Sequence, residues 1–133
     1  MHYLYTDGGA RGNPGPAASG AFLFDHNMQL LDFSGTYLRE TTNNVAEYEA
    51  LLEGLKMAHK NKVTEIRCHL DSELVVKQLN GEYKVKNDNM NRLYNRVKAE
   101  AEKFKQIEFA HIPRNKNKFA DRMVNVILDA VQS

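Results

Sequence analysis

Four acidic residues, Asp7, Glu47, Asp71 and Asp121, stand in settings that would gather carboxylates around a cation. Asp7 and Asp71 each follow a short β-prone run, His2–Thr6 and Glu65–Leu70, and sites in open α/β sheets form at the carboxyl ends of strands. Glu47 lies one helical turn before Ala50, Leu51 and Gly54, whose small members let a helix pack closely on a sheet, so Glu47 should point inward. Asp121 shares a helical stripe with Val124, Asn125 and Leu128 and should face the interior too. A carboxylate buried alone loses solvation worth several kcal/mol, so a cationic partner is required. Two divalent ions would balance four such groups, and all-oxygen ligands suit Mg2+ or Mn2+; with no Cys or His cluster beside them, zinc is the poorer match. Local roles stay open for each: a turn start at Asp7 before Gly8, first-turn acids complementing a helix dipole at Glu47 and Asp121, a helix cap at Asp71.

The elements that must position these acids follow from patterning. His2–Thr6 alternates as a strand before the turn-rich stretch Asp7 to Pro16. Ser19–Phe24 is a second strand, Asp25–Asn27 a hairpin turn, and Met28–Leu38 a third strand with Gly35 as a bulge or close-approach point. Thr41 to Asn44 offers N-caps for a helix over Val45–Lys60, whose stripe of Tyr48, Leu51, Leu52, Leu55 and Ala58 faces a core. Glu65–Leu70 is a strand, and Asp71-Ser72 begins a helix running to Leu79. Gly81 to Asn89 is a connector, Met90–Phe104 a helix, Ile107–Ile112 a fifth strand and Asn117–Ala130 the last helix. This order describes one α/β domain over residues 1–133: a mixed five-stranded sheet, three antiparallel strands then parallel additions, flanked by about four helices.

Composition narrows the class. At 133 residues, 42% apolar and 26% charged, the chain can bury one real core and is not wholly disordered. No apolar run approaches a membrane span, and the lone Cys68 excludes an internal disulfide framework, so a soluble monomer of the cytoplasm, with no membrane partner, is expected. The formal charge of +1 hides a gradient: residues 1–55 hold two basic residues against seven acids, and the remainder holds 16 against ten. Such asymmetry suits a polyanion-binding face, and equally a scatter of solvated charge.

Together these residues resemble type 1 ribonuclease H over Tyr3 to Asp129. The motifs are Thr6-Asp7-Gly8 with Gly12-Asn13-Pro14-Gly15-Pro16, then Thr42-Asn43-Asn44-Val45-Ala46-Glu47-Tyr48, Leu70-Asp71-Ser72, and Asn117-Lys118-Phe119-Ala120-Asp121-Arg122. The resemblance implies a ribonuclease H-like fold and hydrolysis of the RNA strand of RNA–DNA hybrids, leaving 5′-phosphate and 3′-hydroxyl ends. It also implies a two-metal mechanism in which Asp7, Glu47, Asp71 and Asp121 are the catalytic, metal-binding carboxylates, with Asp7 bridging the ions. Asn13, Asn43 and Asn44 match the family's polar contacts to the hybrid, since amides suit 2′-hydroxyls and base edges in a wide minor groove. Thr42, with the amides at the helix start, matches a phosphate contact. Capping and turn geometry is the alternative for the three asparagines.

Departures from the family are informative. The chain has no tryptophan and no large basic insertion between Asp71 and Ile107, so it is similar to a short form without the basic protrusion. Tyr83, Lys84 and Lys86 in the connector are the nearest substitute, or a solvated loop, and hybrid binding should be weaker and more salt-sensitive. The loop before the last helix is short. His111 lies on the strand side, and Arg114 is the candidate for assisting catalysis or product release, as an arginine does in short-loop members. Two other readings stand beside the hybrid nuclease: a nucleic-acid-binding domain of this fold with little turnover, and a nuclease acting on other structured RNA.

Overall fold

The computed structural model describes residues 1–132. Its strands are β1 (His2–Ala10), β2 (Gly15–Phe24), β3 (Leu30–Thr41), β4 (Glu65–Leu70) and β5 (Gln106–His111). The helices are α1 (Asn43–Lys60), α2 (Glu73–Leu79), α3 (Asp88–Ala101) and α4 (Lys118–Gln132), with a 3-10 turn at Arg114–Lys116. The sheet order is β3-β2-β1-β4-β5. The β3–β2 and β2–β1 pairs are antiparallel, and the β1–β4 and β4–β5 pairs are parallel. The expected mixed sheet is therefore the observed one. No helix among the described residues is long and apolar enough to cross a membrane.

Successive residues of a strand point to opposite faces, and β1 shows what each face meets. A Cβ on Gly8 would lie 2.1 Å from the Ala46 carbonyl oxygen of α1, and one on Gly9 would lie 3.5 Å from Val124 of α4. So α1 covers one face and α4 the other. The larger core lies under α1, where Leu4, Leu23, Tyr48, Leu51, Leu55, Ile66, Leu70 and Val97 are fully buried. Each fully buried aliphatic side chain there contributes roughly 1.5–3 kcal/mol. A smaller cluster of Ala18, Val124 and Leu128 holds α4. Arg11, just past β1, ties down the far end of α4 through Asp129 at 2.7 Å, the Asn125 carbonyl side chain at 3.1 Å, and Gln132.

Several boundaries differ from the sequence pattern for tertiary reasons. The first strand runs on through Asp7, Gly8 and Gly9 to Ala10, because those residues pair with Gly20, Ser19, Ala18 and Ala17 of β2. Gly8, in the pair that resembles a turn, instead lets helix backbone approach the strand. β3 starts at Leu30, since Met28 sits in the turn at φ 61, and it runs on to Thr41. Gly35 carries no bulge: it pairs with Gly20, and a Cβ there would come within 2.8 Å of Met123, so close approach is its role. The register shifts lie between Ala17 and Ala18 and between Leu23 and Phe24, where Leu38 and Leu31 are left over on β3. α3 begins two residues early because the Asn87 side chain accepts from the amides of Asn89 and Met90 at 2.9 and 3.2 Å.

Candidate active site

Asp7 and Asp71 meet because of strand register. The β1–β4 ladder ends at Thr6 opposite Leu70, so the next residue of each chain segment leaves the ladder side by side. Asp7 therefore stands at the carboxyl end of the parallel pairing even though β1 itself continues. Asp71 does not cap α2. Ser72 does, its hydroxyl oxygen accepting from the Val75 amide at 3.3 Å, which leaves the Asp71 carboxylate for the site.

Glu47 arrives from the other side. Thr42 caps α1, its hydroxyl oxygen accepting from Val45 at 3.3 Å, and the helix starts at Asn43. Glu47 thus lies in the second turn, beyond the first-turn position that favours acids for dipole reasons, and α1 has no acid in its first turn. The missing Cβ of Gly54, which would meet Leu4 and Thr6 at 2.9 and 3.0 Å, seats the helix against β1 and turns Glu47 inward. One Glu47 oxygen accepts from the Gly8 amide at 3.0 Å, and Oε2 is buried with no hydrogen-bond partner.

Asp7, Glu47 and Asp71 each present an oxygen within 4.8 Å of the others. Burial pushes the Asp7 carboxyl up to about 7, a hydrogen bond with Glu47 pulls it down, and the Asp71 and Asp121 charges push it up. Burial also drives Glu47 well above the ordinary carboxylate range, aided by its neighbour Asp7. Three crowded acids, with Arg11 and Arg114 only on the walls of the cleft, form a site short of positive charge. The donor set is all oxygen, with no sulfur or imidazole, and fits a hard divalent cation.

Asp121 is the member the structure places differently. It lies in the first turn of α4 and lines the same cleft of about 490 Å3, but it stands outside the close three-acid cluster. Its carboxylate accepts from Arg114 Nη2 at 3.0 Å, and that ion pair, between side chains 30% and 76% exposed, holds it at the rim. The patterning of α4 indicates the face of Asp121 correctly but carries no sign of this pairing.

The asparagines converge beside the cleft. Asn13 accepts from the Asn43 amide at 3.1 Å, and Asn43 accepts from the Ala10 amide at 2.8 Å. These bonds lock the Gly12–Gly15 loop to the start of α1 through carbonyl oxygens and leave the donating NH2 ends for a ligand. They also bear on the expected phosphate contact: the Asn43 and Val45 amides already have protein acceptors, so only the Asn44 amide and the Thr42 hydroxyl proton remain there. Asn44 lines both the cleft and a neighbouring hollow of about 550 Å3 walled by Tyr83, Lys84 and Lys86. Lys77 stacks over Tyr83, 5.0 Å from the ring centre, and anchors that connector. Asn117, which patterning marks only as a helix start, is 1% exposed and donates to Asp71 at 3.2 Å.

The fold and the site define an α/β domain that gathers carboxylates at the end of a parallel strand pair beneath an open cleft. Comparisons with known proteins agree. A family described as "Reverse transcriptase-like" matches residues 5–126. The Bifunctional protein Rv2228c of Mycobacterium tuberculosis is 44% identical over 129 residues, which cover 96% of this chain but only 35% of that protein. The crystal structure of RNase H1 from Halobacterium salinarum is 35% identical with a TM-score of 0.94, covering 97% of this chain and 98% of its own. LC11-RNase H1 in complex with an RNA/DNA hybrid is 41% identical with a TM-score of 0.95 and full coverage of both chains. This chain belongs to the type 1 ribonuclease H family.

Proposed function

We propose that the chain is a hybrid endoribonuclease, hydrolysing the RNA strand of RNA–DNA hybrids to 5′-phosphate and 3′-hydroxyl ends. The observation that carries this reading is the Asp7–Glu47–Asp71 cluster, three carboxylates within 4.8 Å at the end of the β1–β4 ladder. The resemblance of the whole chain to LC11-RNase H1, a relative solved with an RNA/DNA hybrid, supports the choice of substrate. Asp7, Glu47 and Asp71 would hold the metal, with Asp121 joining them from the cleft wall. Bound there, two Mg2+ or Mn2+ ions would supply an acidified water and stabilise negative charge at phosphorus and on the leaving 3′ oxygen. To accept cations, Asp7 and Glu47 must give up the protons that burial makes them retain.

The rest of the site orients the substrate. The NH2 groups of Asn13, Asn43 and Asn44 donate to 2′-hydroxyls and base edges across the minor groove, and the Thr42 hydroxyl donates to a phosphate. Arg114, paired with Asp121 at 3.0 Å on the cleft wall, would assist catalysis or product release. The chain acts as a monomer in the cytoplasm.

A labelled RNA–DNA hybrid, a double-stranded RNA and a double-stranded DNA, each incubated with Mg2+ and with Mn2+, test the proposal. Only the hybrid should be cut, in its RNA strand, with products that a 5′-phosphate-dependent exonuclease degrades. Binding of the hybrid without cleavage of any substrate would overturn it, and cutting of double-stranded RNA at a comparable rate would redefine the substrate.

A further inference from the structure

Asn117 touches all three backbone segments that carry the acids of the β1–β4–α4 corner. Its side-chain NH2 donates to the Thr6 carbonyl at 2.8 Å, next to Asp7, and to Asp71 Oδ2 at 3.2 Å. Its backbone carbonyl accepts from the Asp121 amide at 3.1 Å, the bond that opens α4. Both side-chain partners are acceptors, so the amide has one usable orientation: turned over, its oxygen would face a carbonyl and a carboxylate. The residue is 1% exposed, and its Oδ1 is buried with no hydrogen-bond donor. The side chain donates two buried bonds, one of them to a carboxylate, that a side chain without an NH2 group cannot replace.

We infer that Asn117 is a positioning residue that fixes the Asp71 carboxylate for cation binding. Asp71 precedes the Ser72 cap in an irregular segment between β4 and α2, and no other side chain donates to it among the described residues. While tied to Asn117, the Asp71 carboxylate presents an oxygen within 4.8 Å of those of Asp7 and Glu47. The same amide, tied to Thr6, holds that oxygen in register with β1. Partners that orient a metal-binding carboxylate typically contribute 10–100-fold to metal affinity.

The inference rests on the cation-binding reading of the cluster, and calorimetric titration of Mn2+ into four proteins separates the two. These are the unaltered chain, Asn117→Ala, Asp71→Asn and the double variant. Asn117→Ala should bind Mn2+ about tenfold or more weakly, with kcat on the hybrid lowered and KM within about twofold. Adding Asn117→Ala to Asp71→Asn should weaken Mn2+ no further, because Asn117 acts through Asp71. Unchanged Mn2+ affinity in Asn117→Ala, or a further loss in the double variant, would overturn the inference and leave a structural residue. Absence of Mn2+ binding to the unaltered chain would instead strike the reading of the cluster. Should Asn117→Ala lack a folded circular dichroism spectrum, Asn117→Leu, which keeps the side-chain volume and has no donor, carries the same comparison.

Discussion

Burial raises the Asp7 carboxyl to about 7 and drives Glu47 well above its usual range, so below neutral pH the fold retains protons that the unfolded chain releases. Where the native state binds more protons, stability falls as pH rises. In metal-free buffer the protein should be most stable below about pH 4 as far as these groups are concerned, with the Asp7 contribution falling by up to about 1.4 kcal/mol per pH unit as pH climbs from about 4 toward 7. Thermal melts in EDTA between pH 4 and 8 measure this, and a flat profile would mean the acids are not crowded. Asp71→Asn should raise the metal-free melting temperature, because one charge leaves the cluster while Ser72 still caps α2 and Asn117 still finds an acceptor. The same variant should lose hybrid cleavage. A lowered melting temperature would show that the Asp71 charge stabilises the fold.

At the scale of elements, the site depends on how closely α1 and α4 approach the sheet. A Cβ at Gly8 would fall 2.1 Å from backbone of α1, which cannot yield as a side chain can. Gly8→Ala should therefore cost about 3 kcal/mol or more and displace Glu47, whereas Gly35→Ala, which meets only the flexible end of Met123 and Ile127, should cost less. Paired urea denaturation curves give the comparison. The helix stripes and the inward turn of Glu47 were legible in the sequence through periodicity and the small residues Ala50 and Gly54, and the meeting of Asp7 and Asp71 through the β-prone runs that each ends. The extension of β1 was not, since Asp7-Gly8-Gly9 carries turn chemistry and only the approach of the Ala46 carbonyl explains Gly8. Nor were the Arg114–Asp121 pair and the Asn117–Asp71 bond, which join residues through the 3-10 turn that local patterning does not register.

For the whole molecule, the near-neutral charge of +1 does not oppose a polyanion. Two divalent ions in the acidic cleft would bring the total to about +5. The hollow beside Asn44, walled by Lys84 and Lys86, extends this surface away from the catalytic cleft. If those lysines contact backbone phosphates, replacing both by alanine should reduce the salt slope of hybrid binding by nearly two, each contact contributing about 0.7–0.9. An unchanged slope would make the connector a solvated loop. The central claim is that Asp7, Glu47 and Asp71 form a cation centre that cuts RNA paired to DNA. Cleavage of a 5′-labelled hybrid by the unaltered chain and by Asp7→Asn, in Mg2+ and in EDTA, tests it most directly. Cutting by the unaltered chain in Mg2+ alone, and none by Asp7→Asn, is the predicted result; cutting that survives EDTA or the substitution would contradict it.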